Sequence, residues 1–148
     1  MSNNSCRVAL ANWHNEDEQN TLRQLRFEVF VQEQNVPEEL EWTGDDGDCI
    51  HAIAFDNASG NAIGTGRLDN DGHIGRMAVL KSARGSGIGR SLLKFLVQQA
   101  QKRGDREVQL NSQTHAMDFY KREGFEAYGP EFMDAGIPHR AMLKTLGK

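Results

Sequence analysis

Between Ser82 and Leu93 the chain reads SARGSGIGRSLL, and the residue types there are suited to holding an anion. Gly85, Gly87 and Gly89 alternate with Ser86 and Ile88, and an apolar pattern of helical period begins directly after them. The first turn of a helix exposes backbone N–H groups that have no intrahelical acceptor, and the helix dipole favours negative charge there. Glycine removes the Cβ atoms that would keep a large anion away from those donors. Ser86 and Ser91 add hydroxyl donors, and the guanidinium groups of Arg84 and Arg90 can pair with phosphate oxygens. A pyrophosphate is the guest that this combination suits.

Competing phosphate motifs fit less well. The dinucleotide fingerprint G-x-G-x-x-G places Arg90 where its third glycine belongs, and it opens the first strand–helix turn of a parallel unit. A Walker loop needs Gly-Lys-Ser or Gly-Lys-Thr, and neither tripeptide occurs. What remains is a pattern of the form [RQ]-x-x-G-x-[GA], matched by Arg84 through Gly89. Metal chemistry is not expected. Cys6 and Cys49 have no ligand spacing, and EELEWTGDDGD, from Glu38 to Asp48, fails the spacing and terminal glutamate of a calcium loop. That acidic run reads as a solvated loop or as an attractor of a cationic amine, and DNDG reads as a hairpin turn.

The elements that must position these residues follow from periodicity. CRVALA, from Cys6 to Ala11, reads as a first strand, and Glu16–Gln34 reads as a helix carrying Leu22, Leu25 and Val29 on one face. Pro37 ends that helix, and EELEW makes a short second helix or turn. Ile50–Asp56, Ala62–Leu68 and His73–Leu80 follow as an antiparallel meander, with Gly64 and Gly66 either weakening the middle strand or admitting a neighbouring backbone. After the glycine loop, Ile88, Leu92, Leu96 and Ala100 line one helix face, and Gly104 stops it. Glu107–Leu110 reads as a strand, then Ala116, Phe119 and Tyr120 mark a helix ending near Gly124. Phe125–Tyr128 and Arg140–Leu146 close the chain as strands around a loop containing Gly129, Pro130, Gly136 and Pro138. This order predicts an α/β fold: a mixed, mostly antiparallel central sheet, a parallel pair at the fourth and fifth strands, and helices on both faces.

The 148 residues, 1–148, read as one domain with an ordinary soluble composition. A net charge of −4 with no basic run argues against nucleic acid or an anionic membrane as partner. No apolar run is long enough to span a bilayer, and MSNNSCRVAL lacks the pattern of a secretory signal, so a cytoplasmic location is the expectation. Oligomeric state is left open, with a homodimer as one reading.

The block RMAVLKSARGSGIGRSLLKFL resembles the acetyl-coenzyme A motif of the GNAT superfamily of N-acyltransferases. HAMDFYKREGF resembles the superfamily's second motif, a helix with an aromatic pair that ends at Gly-Phe. RFEVFVQEQNVPEELEW and DAGIPHRAML are similar to the small bacterial ElaA-like branch. RFEVFVQEQ also distantly resembles acyl-homoserine lactone synthases, which are longer chains with a poor match to the glycine loop.

The GNAT resemblance implies acetyl-coenzyme A as co-substrate, without a metal, and a small-molecule amine or exposed amino group as acceptor. By the same resemblance Met77, Ala78 and Val79 lie along the pantetheine arm, with the Val79 amide freed by a bulge to polarise the thioester carbonyl. Arg84, Gly85, Ser86, Gly87, Ile88, Gly89, Arg90 and Ser91 hold the pyrophosphate. Asn111 faces the arm and Phe119 packs on it. Tyr120 aligns with the superfamily's usual acid, and a phenol near pKa ~10 can protonate a thiolate whose conjugate acid lies near ~8.5. Many GNAT proteins carry a glutamate on the fourth strand, but Arg76–Val79 holds no carboxylate. Glu33, Glu131, His115 and His139 are the substitutes for the missing base, and Arg67 and Arg76 flank the cleft. A direct transfer to the amine is expected, and a non-catalytic acyl-coenzyme A binding or sensing module is the alternative.

Overall fold

The computed structural model describes residues 6–36 and 46–146. Among them, β1 (Cys6–Ala11), β2 (Ile50–Asp56), β3 (Ala62–Leu68) and β4 (Ile74–Val79) form a four-stranded antiparallel sheet in that order. A second, three-stranded antiparallel sheet has the order β5 (Glu107–Gln113), β7 (Ile137–Thr145), β6 (Glu126–Asp134). The helices are α1 (Glu16–Arg26), α2 (Ile88–Arg103) and α3 (Met117–Arg122).

Side chains alternate across β2, and the two helices use the two faces. Ala52 and Ala54 join Leu92, Leu93, Leu96 and Ala100 of α2 in the main core, whereas Ile53 packs with Leu22 and Leu25 of α1. α2 lies close against β3, and a side chain at either glycine there would crowd its neighbours. A Cβ on Gly66 would stand 2.9 Å from Leu96 Cδ1 and 2.8 Å from Met77 Sδ, and one on Gly64 would stand 3.1 Å from Leu92 Cδ1. Of the two readings of Gly64 and Gly66, close approach is the one the contacts support: Ala78 O of the neighbouring strand lies 3.1 Å from a Cβ on Gly64, and helix side chains crowd both positions.

α1 begins with a side-chain cap at Asn15, and Glu18 reaches back past it to Asn12. Asn15 Oδ1 accepts from the Glu18 amide at 3.0 Å, and Glu18 Oε1 accepts from the Asn12 amide at 2.8 Å. The single helix expected over Glu16–Gln34 is α-helical only to Arg26 and then widens to a π-helix over Phe27–Glu33. There the Gln34 amide donates to Val29 O at 3.0 Å, and the extra residue per turn rotates the end of the element relative to its start. Pro37 and EELEW lie outside the described residues.

The expected parallel pair at the fourth and fifth strands is not a ladder. Just ahead of β4, His73 forms an isolated parallel bridge with Gln109 of β5, where the Gln109 amide donates to Gly72 O at 2.9 Å. A Cβ on Gly72 would stand 3.1 Å from Glu107 O, so that junction is tight. Beyond it β4 is bent by a register shift opposite Gly66, with Arg76 at φ 50°, and the single mixed sheet becomes two antiparallel ones.

The last hairpin is also longer than its sequence suggests. A bulge between Tyr128 and Phe132 accommodates Gly129 and Pro130 inside β6, and Ala135–Gly136, at φ 54° and 78°, makes the turn. Positive φ at both central positions matches the twist of the flanking strands. β5 likewise runs three residues past Leu110, to Gln113, because it pairs with β7 along its whole length.

Candidate active site

A cleft of ≈ 510 Å³ opens where β4 and β5 part. Its walls include Arg67 of β3, Arg76 and Met77 of β4, Asn111 of β5, Tyr120 of α3 and His139 of β7, so six residues singled out in the sequence meet there. Phe30 and Gln34 at the end of the first helical element form another wall, which is where the π-helical turn delivers them.

The glycine loop adjoins this cleft without lining it. Gly85 and Gly87 have φ of 88° and 83°, and a Cβ on either would meet nothing within 4 Å. These glycines are therefore required by backbone conformation, and the space beside them is open. Gly87 is the N-cap of α2, and no side chain caps that helix start. Ser86 Oγ and Ser91 Oγ instead donate to Ala83 O and Gly87 O, at 2.9 and 3.2 Å. Ile88 contributes its backbone to the helix start while its side chain is buried in the core. The room and the donors for a diphosphate are both present.

The two loop arginines are engaged with carboxylates. Arg84 Nη1 and Nη2 donate to Glu33 Oε2 and Oε1 at 2.5 and 2.6 Å, and its Nε donates to Val79 O at 3.0 Å. Arg90 Nε lies 3.0 Å from Glu123 Oε2. The Arg84 hydrogen bonds, helped by its charge, hold the Glu33 carboxyl below the usual carboxylate range. Glu33 thus braces the loop rather than lining the cleft.

The bulge expected at Val79 lies earlier, at Arg76–Met77 opposite Gly66. Val79 pairs with Gly64, and the neighbouring Leu80 amide donates to Ile63 O at 2.9 Å. Ladder alternation then turns the Val79 N–H and C=O away from β3, toward the opening. The Val79 side chain reaches the loop, since a Cβ on Gly89 would lie 3.9 Å from Val79 Cγ2 and 3.8 Å from Phe119 Cζ. Ala78 is buried in the core, so only its main chain is placed to meet a ligand.

Tyr120 packs edge-on against Phe119 and Phe125, at centroid distances of 5.0 and 6.1 Å. Burial raises its pKa above the ordinary phenol value, so the group is a neutral proton donor at neutral pH with or without that shift. His139 is 9% exposed, stacks on Phe132, and its Nδ1 bonds Ile137 O at 2.7 Å. His115 and Glu131 do not line the cleft. His115 is exposed and bonds Gln113 Oε1 at 2.6 Å, and Glu131 is exposed on β6.

Some cleft residues gave no signal in the sequence. Gln113 bonds Gln34 at 3.2 Å and joins two walls, and Asp69, His73 and Asp134 complete the rim. Behind the cleft, Asp46 is buried between Arg26 and Arg67, each 2.8 Å from Oδ1, and His51 Nε2 bonds its carbonyl at 2.8 Å. Asp46 belongs to the acidic run read as a solvated loop or an amine attractor, and it is neither. Arg67, expected to flank the cleft, does so while holding this carboxylate. Among the described residues no three His, Cys, Asp or Glu side chains are grouped to hold a metal, and no helix is long and apolar enough to cross a membrane.

An antiparallel sheet split beside a glycine-led helix start, with an aromatic helix across the gap, is the frame of an acyltransferase. The family described as acetyltransferase (GNAT) domain matches residues 14–146, and the chain belongs to it. An uncharacterized N-acetyltransferase of Bacillus subtilis, YjcF, is 39% identical over 132 residues, 88% of this chain and 94% of that one. ElaA of Escherichia coli is 34% identical over 134 residues, covering 84% of this chain and 86% of its own, and its crystal structure superposes with a TM-score of 0.81. The crystal structure of an acyl-CoA N-acyltransferase from Pseudomonas aeruginosa, 32% identical, superposes with a TM-score of 0.84 over 95% of this chain and 100% of that one.

Proposed function

We propose that this protein is an acetyl-coenzyme A-dependent N-acetyltransferase that moves the acetyl group directly from the thioester to a primary amine, on a small molecule or an exposed amino group. The observation that carries the reading is the uncapped start of α2, with Gly85 and Gly87 leaving open space before it, beside a cleft that holds Tyr120. Backbone donors from Arg84 to Gly89 bind the diphosphate. The main chain of Met77–Val79 runs beside the arm, Asn111 and Phe119 flank it, and the Val79 N–H meets the thioester oxygen. Tyr120, a neutral phenol whose pKa burial raises further, gives its proton to the departing thiolate. Direct transfer is supported because neither Cys6 nor Cys49 lines the cleft.

One observation favours a non-catalytic acyl-coenzyme A binding module instead: β4 offers the cleft no carboxylate. A turnover screen decides between them. Acetyl-coenzyme A is supplied with alkylamines, polyamines, aminosugars, amino acids and peptides, and thiol release is measured. Transfer to at least one amine is expected, and Tyr120→Phe lowers kcat about 100-fold while coenzyme A affinity holds. Coenzyme A binding without transfer to any amine favours the binding module.

A further inference from the structure

We infer that His139 is the base that takes the proton from the acceptor's ammonium group, a role that rests on the transferase reading above. His139 sits on the middle strand of the second sheet, paired with Gln113 on one side and Phe132 on the other, so its backbone is fixed from both directions. Its Nδ1 lies 2.7 Å from Ile137 O. A carbonyl only accepts, so Nδ1 carries the hydrogen and the neutral ring holds its lone pair on Nε2. Stacking on Phe132, with the rings 24° apart, fixes the ring plane. The residue forms part of the cleft wall together with Tyr120, and among the described residues Nε2 makes no hydrogen bond.

The other proton acceptors near the cleft are held by partners of their own or stand at its exposed rim. Glu33 is bound by Arg84 and its proton affinity is lowered. His115 is tied to Gln113 outside the cleft, and Glu131 is exposed on β6. Asp69 Oδ1 accepts the amides of Asp71 and His73, at 2.9 Å each, and thereby holds the turn before β4. His73 is 48% exposed beside that aspartate, and Asp134 stands at the tip of the hairpin.

An alkylamine, with a conjugate acid near pKa ~10.4, arrives as an ammonium ion and cannot attack until it loses a proton. His139 Nε2 takes that proton, and the nitrogen lone pair then forms the C–N bond at the thioester carbon. The C–S bond breaks, and the thiolate takes the Tyr120 proton. The nitrogen's remaining surplus proton returns to Tyr120 through solvent, and His139 releases its own to bulk water. The inference therefore names the acceptor class as a strongly basic alkylamine.

The test compares wild type, His139→Gln and His139→Ala on an alkylamine from the panel and on its alkoxyamine analogue, whose weakly basic terminal nitrogen is already uncharged at neutral pH. For the alkylamine, kcat/KM is expected to fall about 100-fold or more, with KM for acetyl-coenzyme A within about twofold. The alkoxyamine analogue should lose less than about tenfold, and added imidazole should restore part of the His139→Ala rate. Equal losses on both acceptors with no imidazole rescue, in variants whose melting curves match wild type, overturn the assignment and leave the transferase reading intact. Wild-type protein that binds coenzyme A but acetylates no amine overturns both.

Discussion

Glu33→Gln isolates the carboxylate that occupies Arg84. In the structure Arg84 gives Glu33 two parallel hydrogen bonds of 2.5 and 2.6 Å, and the two side chains are 39% and 33% exposed. Solvent screening at that exposure limits the pair to about 1 kcal/mol even with bidentate geometry. Any diphosphate that draws Arg84 onto its oxygens must first displace Glu33. Glutamine keeps the shape and removes the charge, so coenzyme A affinity is expected to rise by up to about fivefold, while stability falls by less than about 1 kcal/mol. Isothermal titration in low salt, repeated in high salt, measures this, and the gain should shrink as salt is added. The pH dependence has a defined sign. Arg84 depresses the Glu33 pKa below 4.5, so the pair is present above that value and is lost as pH falls through the depressed pKa. Wild type and variant should therefore converge in acid. Weaker coenzyme A binding by Glu33→Gln would refute the competition and show that Glu33 holds Arg84 in its binding pose.

The remaining expectations concern the scaffold. Gly66→Ala puts a Cβ within 2.9 Å of Leu96 Cδ1 and 2.8 Å of Met77 Sδ, so urea unfolding should show a loss of about 1–3 kcal/mol. An unchanged midpoint would mean that α2 is not seated against β3 as described. Asp46→Asn removes the carboxylate between Arg26 and Arg67 and should cost about 3 kcal/mol. Burial alone would raise the Asp46 pKa, but the two guanidinium groups outweigh it and the net shift is downward from 3.8. Its stabilisation is therefore complete above that ordinary value and lost as pH falls through the depressed one, an acid step that Asp46→Asn should lack.

Much of the scaffold was legible because its signals are local. β1, β2 and β3 begin and end where alternation and turn residues place them, and α2 runs from the glycine loop to Gly104 at φ 95°. The anion cradle was legible for the same reason, since glycines ahead of a helical pattern are contiguous in sequence. The contacts that sequence reading missed are long-range. Arg84 and Glu33 are 51 residues apart, and Asp46 is 20 and 21 residues from its two arginines. Nothing in EELEWTGDDGD marks Asp46 as different from its neighbours, because burial is decided by residues elsewhere in the chain. The parting of β4 from β5 escaped for a related reason. A strand–helix–strand order predicts a parallel ladder, whereas the bend at Arg76 follows from pairing with β3.

A backbone-amide NMR titration with coenzyme A bears most directly on the claim that the main chain before α2 receives a diphosphate. Saturable shifts are expected, largest for the amides from Gly85 to Gly89 and smaller for Val79, with desulfo-coenzyme A reproducing them because the diphosphate is unchanged. Saturation that leaves the Gly85–Gly89 amides unmoved, or no response at all, would contradict it.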